Sequence, residues 1–212
     1  MIKDPAAQPA HGISSVILAG GDSRRLGIDK ALLELDGQTL LARAVQKLTA
    51  FSDDIIVVTN SPEDYEHLAL GARFVGDERQ GEGALMGVYS GLKAARHESA
   101  LTVACDMPFL NVSLLRYMVD KSYGRDAVVP RLDGDLLEPL HAVYSKRCLP
   151  LMAALLAQGR RRIAALFGRV DVFYVGAAVV DRLDPLRLSF MNINTPADWQ
   201  RAQQLHDQSR SK

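Results

Sequence analysis

Apolar residues come in short, nearly continuous runs along this chain, and each run stops at a turn signal. Seven such runs predict strands. They are Ser15–Leu18, Asp54–Asn60 ahead of Ser-Pro, Ala72–Val75 ahead of Gly76-Asp77, Leu101–Cys105 ahead of Asp106-Met107-Pro108, Asp126–Pro130, Pro139–Tyr144 and Asp171–Val175. Between them, apolar positions recur at helical spacing over 40–48, 85–95, 112–119 and 149–156. A last helix is marked by its start: Thr195 to cap, Pro196 at the first helical position and Asp198 three residues after the cap. Strands that are apolar throughout need cover on both faces, and helices stand between them to supply it. The pattern therefore predicts an α/β fold, a mostly parallel sheet with helices on both faces. No repeat, low-complexity segment or linker interrupts it. Residues 13–206 read as one domain, 1–12 as a flexible leader and 207–212 as a loose tail.

Composition narrows the partners. Of 212 residues, 48% are hydrophobic and 24% charged, ordinary for a globular chain. Lys+Arg and Asp+Glu both number 25, so no global basic field exists for nucleic acid, and any anion site must be local. The two cysteines, Cys105 and Cys148, lie in apolar surroundings without a CxxC or a nearby histidine cluster. That suits reduced, buried thiols in a cytoplasmic protein. No apolar run approaches the roughly 20 residues of a membrane span. The N-terminus has no apolar signal-peptide core.

In a mostly parallel sheet, ligands bind outside the carboxyl ends of the strands. Four polar features fall there: the loop after Leu18, then Asn60, Asp77 and Asp106. The loop reads Gly20-Gly-Asp-Ser-Arg-Arg-Leu-Gly-Ile-Asp-Lys30. Glycines let backbone N–H groups turn toward an anion at close range. Arg24, Arg25 and Lys30 add three positive charges, and arginine adds forked hydrogen bonds. A triphosphate needs both. The Walker spacing fails, because Gly21 to Gly27 encloses five residues and Ile28 follows; the dinucleotide fingerprint is absent too.

The segment Leu18-AGGDSRRLGIDKALL-Leu33 resembles the signature of the nucleotidyltransferases that act on molybdopterin, the molybdenum cofactor guanylyltransferases above all. The resemblance continues in order through Phe74-VGD-Asp77, Gly83-ALMG-Gly87, Ala104-CDMPFL-Leu110, Glu138-PLHAVY-Tyr144 and Asn192-INTPAD-Asp198. Ala84 stands where the family usually has proline, and Leu26 where it usually has methionine. The resemblance implies a Rossmann-like sheet of the nucleotide-diphospho-sugar transferase type. It implies guanylyl transfer from GTP to molybdopterin or its molybdenum-loaded form, with Mg²⁺ on Asp106. Molybdoenzyme chaperones are implied as candidate partners, and a monomer is the default assembly.

Residue by residue, the expected catalytic set is Arg25, Lys30 and Asp106. Leu18, Ala19, Gly20, Gly21, Lys30, Asn60, Asp77, Gly83, Gly87 and Asp106 are assigned to the nucleotide and its metal. Asn192 and Asn194 are assigned to a phosphate or the pterin. From the residues alone the alternatives stay open. Asn60 and Asp77 also suit plain turns, the glycines suit loop punctuation, and Arg160–Arg162 suit a solvated turn as well as an anion patch. Alternation puts the amides of Asn192 and Asn194 on one side of an extended segment. His141, in an apolar strand, reads as a core histidine with its hydrogen bonds satisfied. No nucleophilic triad is apparent, and none is needed, because the attacking phosphate is already an anion. The rival readings are a CTP-dependent pterin or sugar-phosphate transferase and a non-catalytic nucleotide-binding domain. All of this requires Lys30 and Asp106 to converge on one triphosphate.

Overall fold

A computed structural model describes residues 12–20 and 29–210. The leader up to residue 11, Gly21, Arg24 and Arg25 lie outside the described residues. In chain order, the first elements are β1 (Ser14–Leu18), the short pair β2 (Glu34–Leu35) and β3 (Gln38–Thr39), α1 (Leu40–Leu48), β4 (Asp54–Val58) and β5 (Arg73–Val75). Then come α2 (Ala84–Ala94), β6 (Ser99–Ala104), α3 (Val112–Lys121), β7 (Ala127–Arg131) and β8 (His141–Ser145). The chain closes with α4 (Leu149–Ala157), β9 (Val172–Gly176), α5 (Ala177–Leu183) and α6 (Pro196–Arg210).

Seven strands form one sheet in the order β5-β4-β1-β6-β8-β7-β9. β5, β4, β1 and β6 run parallel, as do β7 and β9, while β8 runs antiparallel between β6 and β7. The expectation of a mostly parallel sheet holds. The reversed strand arises because the short 132–140 connection returns the chain beside β7 with only a 3₁₀ turn, Asp133–Asp135, and no crossover α-helix between.

Both faces are covered. In β1, Ile17 joins a core with Leu41, Ala44, Val45 and Leu48 of α1 and Leu114, Leu115 and Met118 of α3. Val16 and Leu18 face the other way, against Leu85, Val88 and Leu92 of α2 and Met152 and Leu155 of α4. This two-sided burial explains why the strand reads as an unbroken apolar run. A third, smaller core pins α6 to the β2–β3 ribbon through Leu35, Leu40, Ile193 and Ala202. The last helix reaches Arg210, past the boundary at residue 206 read from the sequence. Its final turn is polar, so no apolar period announces it.

Register aligns the strand ends. Leu18 pairs with both Val58 and Ala104, and Val58 pairs with Val75. The loops after β1, β4, β5 and β6 therefore leave from one edge. Antiparallel β8 begins at that same edge, which puts His141 opposite Val103.

Candidate active site

Lys30 opens a single 3₁₀ turn, Lys30–Leu32. The turn is fixed from the preceding residue. Asp29 accepts a hydrogen bond from the Ala31 amide at 2.9 Å through one oxygen and from the Tyr65 hydroxyl through the other. With the turn held, Lys30 Nζ donates to Asp106 Oδ2 at 3.2 Å and to Asn194 Oδ1 at 2.7 Å. Lys30 and Asp106, which the sequence reading needs close enough to share one triphosphate, are thus direct neighbours. The pair retains 15% and 18% side-chain exposure, enough for a ligand to reach it.

Asp106 follows β6, and its surroundings are tied by the backbone. The Cys105 amide donates to Leu18 O at 3.1 Å, and the Ile193 amide donates to Asp106 O at 3.0 Å. The second bond draws the 192–194 segment to the strand edge. Ile193 is buried there while its two asparagine neighbours are not, as alternation requires. Asn192 Nδ2 donates to Phe190 O at 3.3 Å. Asn194 is steadied from behind. Asp198 Oδ2 accepts from the Asn194 amide at 3.0 Å, the Thr195 amide at 2.8 Å and Thr195 Oγ1 at 2.9 Å. In return the Asp198 amide donates to Thr195 Oγ1 at 3.2 Å, a capping box at the start of α6.

A second group lies two strands away at the same edge. Asn60 and Asp77 bond reciprocally: Asn60 Nδ2 to Asp77 Oδ2 at 3.0 Å, and the Asp77 amide to Asn60 Oδ1 at 2.9 Å. Asp77 Oδ1 is buried with no hydrogen-bond partner among the described residues. Leu18, Ala19 and Gly20 run between the two groups, with the Ala19 amide on Val58 O at 2.9 Å. Gly87 lets α2 close over them. A Cβ there would stand 3.2 Å from the Leu18 side chain and 3.7 Å from Asp77 Oδ1. Gly83, at φ 75°, caps α2, and the Leu85 amide donates to Arg161 O at 3.3 Å. The exposed Arg160–Arg162 stretch is thus packed against the second glycine loop through its backbone.

Two expectations about chemistry have definite outcomes. Both cysteines are free, and burial drives both thiols up, Cys148 to about 12 and Cys105 higher still, the latter helped by Asp106 and Asp29. Neither is a thiolate nucleophile. His141 corrects the reading of a satisfied histidine. It is fully buried, yet neither ring nitrogen has a hydrogen-bond partner among the described residues. Its ring and that of Phe190 meet in a T-shaped arrangement with centroids 5.0 Å apart, and burial lowers its pKa to about 3, so it is neutral.

No group of three or more His, Cys, Asp or Glu side chains that could hold a metal occurs among the described residues. Asp106 offers a hard oxygen at the edge beside Lys30, and the lysine ammonium already sits on it. One carboxylate fits a metal that takes its other ligands from phosphate and water. The sequence reading missed Tyr65 and Asp198, which hold the turn and the segment carrying Lys30 and Asn194. The capping motif pointed to Asp198 as helix chemistry only.

Comparisons with known proteins agree with this geometry. The MobA-like NTP transferase domain profile matches residues 15–172. A probable molybdenum cofactor guanylyltransferase of Pelotomaculum thermopropionicum is 37% identical over 198 residues, covering 93% of this chain and 95% of the relative. A molybdenum cofactor guanylyltransferase of Desulfosudis oleivorans is 37% identical, covering 90% and 94%. Among solved structures, molybdopterin-guanine dinucleotide biosynthesis protein A from Archaeoglobus fulgidus superposes with a TM-score of 0.80 at 28% identity, covering 92% of this chain and all of that one. The 4-diphosphocytidyl-2C-methyl-D-erythritol synthase of Anaerococcus prevotii, at 18% identity and a TM-score of 0.69, shares the fold. By profile, identity and architecture together, this chain belongs to the MobA-like nucleotidyltransferase family.

Proposed function

We propose that this chain is a cytoplasmic guanylyltransferase that moves GMP from GTP onto the terminal phosphate of molybdopterin, or of its molybdenum-loaded form, releasing pyrophosphate. A phosphate oxygen of the pterin forms the new bond to the α-phosphorus while the bond between the α-phosphorus and the bridging oxygen to the β-phosphate breaks. The observation that carries this reading is the cluster of Lys30, Asp106 and Asn194 within hydrogen-bond distance at the carboxyl edge of the sheet.

In this reading Lys30 neutralises charge on the β- and γ-phosphates as they leave, and Arg25 joins it. Positioning and neutralisation supply most of what such transfers need. Mg²⁺ held by Asp106 supplies charge stabilisation across the phosphates when it is bound. Asn60 orients Asp77 so that the unspent Oδ1 accepts a donor from the base or ribose. Gly83 and Gly87 allow the backbone to approach the nucleotide, and Asn192 faces the pterin. No general base is assigned, because the nucleophile is an anion and the only described groups at the strand edge with thiol or imidazole chemistry, Cys105 and His141, are held neutral.

The test is incubation with molybdopterin, Mg²⁺ and each nucleoside triphosphate in turn, with detection of the dinucleotide product and pyrophosphate. GTP is expected to give product. Product from CTP alone, or binding without pyrophosphate release, would overturn the assignment.

A further inference from the structure

The Lys30 ammonium has two partners of different kinds. Asp106 Oδ2 is an anion, 3.2 Å away, and Asn194 Oδ1 is a neutral acceptor, 2.7 Å away. A metal ion on Asp106 would take the first partner from the lysine. It would leave the second untouched. The neutral seat, in turn, is not free to drift, since the Asp198 carboxylate holds the Asn194 amide at 3.0 Å and the Thr195 amide at 2.8 Å. The Thr195 hydroxyl and the Asn194 amide hold the Asp198 carboxyl below its ordinary range, with Lys30 adding a smaller charge effect.

We infer that Asp198 is a positioning residue: through Asn194 it keeps Lys30 aimed at the phosphates once a cation has displaced the lysine from Asp106. The inference rests on reading the strand edge as a nucleotide and metal site, and adds a residue to it. Two consequences follow from geometry. In the nucleotide-free chain, lysine and metal compete for one carboxylate, so Lys30 sets the metal affinity. When both ligands are present, a lysine without its second seat pays more entropy to meet the phosphates. An amide oxygen suits that seat because it holds an ammonium without a net charge that would repel the triphosphate. The capping-box reading accounts for the bonds to Thr195 but not for the one to Asn194, which lies outside the helix.

The experiment uses the full chain and two probes, Mn²⁺ binding by electron paramagnetic resonance without nucleotide and GTP binding by calorimetry with Mg²⁺. Lys30→Met should tighten Mn²⁺ and weaken GTP. Asn194→Ala and Asp198→Ala should both weaken GTP by about tenfold, the scale of one charge-assisted hydrogen bond, and weaken Mn²⁺ as well. Asp198→Glu, which keeps a carboxylate at the same helix position, should restore GTP binding. Thr195→Ala is the structural control. It damages the cap as Asp198→Ala does, and should lower the melting temperature alike, but leaves the Asn194 amide bond and so leaves GTP affinity near wild type. Equal losses of GTP affinity in Thr195→Ala and Asp198→Ala would overturn the inference, as would unchanged affinity in Asp198→Ala. Wild-type protein that binds neither probe would instead overturn the nucleotide-site reading itself.

Discussion

Two aspartates in this sheet show opposite ways of using a carboxylate. Asp54 begins β4, at the end of the sheet away from the site, and is 2% exposed. It accepts from Ser14 Oγ at 2.6 Å, the Arg96 amide at 2.8 Å, and Arg73 Nε and Nη2 at 3.1 and 2.7 Å. Burial alone would raise its pKa, but those donors outweigh it and the net shift is downward. Asp106, after β6, meets one ammonium at 3.2 Å. One acid is saturated by donors from β1, β5 and the connection after α2, and the other, at a reachable edge, has Lys30 as its one side-chain donor among the described residues. The saturated acid is structure. The other is the acid proposed to take a ligand, and the same contrast holds for Asp77, whose Oδ1 has no partner among the described residues.

The sharpest way to break that contrast is to remove each acid. Asp54→Ala removes a buried carboxylate and leaves Ser14 and the Arg96 amide without their acceptor, and should cost about 2–3 kcal/mol of stability by denaturant unfolding. Activity per folded molecule should survive. Asp106→Ala should do the reverse. Its partly exposed ion pair contributes about 0–1 kcal/mol to stability, so the unfolding curve should scarcely move. Guanylyl transfer should fall by about 10²-fold or more, as for other lost transition-state contacts.

The next effect concerns a buried polar group with no hydrogen-bond partner among the described residues. His141 has a folded pKa of about 3 against an ordinary 6.5, so the unfolded chain binds more protons between those values. Stability is complete above the ordinary value and is lost as pH falls below it. From about pH 7 to about pH 5 the wild type should lose about 2 kcal/mol from this residue. His141→Leu should remove that slope in equilibrium unfolding. The lowered carboxyl of Asp54 acts later, since its contribution is present above the ordinary carboxylate range and fades as pH falls through its folded value. A His141→Leu chain with an unchanged slope between about pH 7 and about pH 5 would show that the histidine is not the source. The smallest effect is expected at Asn60→Ala, which frees Asp77 Oδ2 and lets the carboxylate turn. GTP affinity by calorimetry should drop about three- to tenfold, with little change in melting temperature.

How much of this was legible follows from where each signal resides. The seven sheet strands could be read because each is short, apolar and stopped by a turn residue, which needs no knowledge of neighbours. The direction of β8 could not, since it depends on the connection from β7. Helix α5 was missed because Ala177–Leu183 is short and carries the β-branched pair Val179 and Val180. The β2–β3 ribbon has two residues in each strand, too few for a period. At the site, the approach of Lys30 to Asp106 was foreseeable, because both follow strands whose carboxyl ends share an edge. The seat at Asn194 was not, because 164 residues separate it from Lys30. Hydrogen-bond satisfaction is also a property of the folded whole. The unpaired ring of His141 and the saturated carboxyl of Asp54 look alike in sequence, as polar residues beside apolar strands, and only packing separates them.

The unsaturated strand edge is proposed to be one nucleotide and metal site. A crystal structure of the chain with GTP and Mn²⁺ tests it most directly, using the anomalous signal of the metal. The account predicts a metal ion on an Asp106 oxygen at about 2.1 Å, shared with phosphate oxygens, and Lys30 Nζ on the same triphosphate while still on Asn194. Nucleotide bound elsewhere, such as the groove between α2 and α4 lined by Arg79 and Tyr89, with Asp106 still paired only to Lys30, would contradict it.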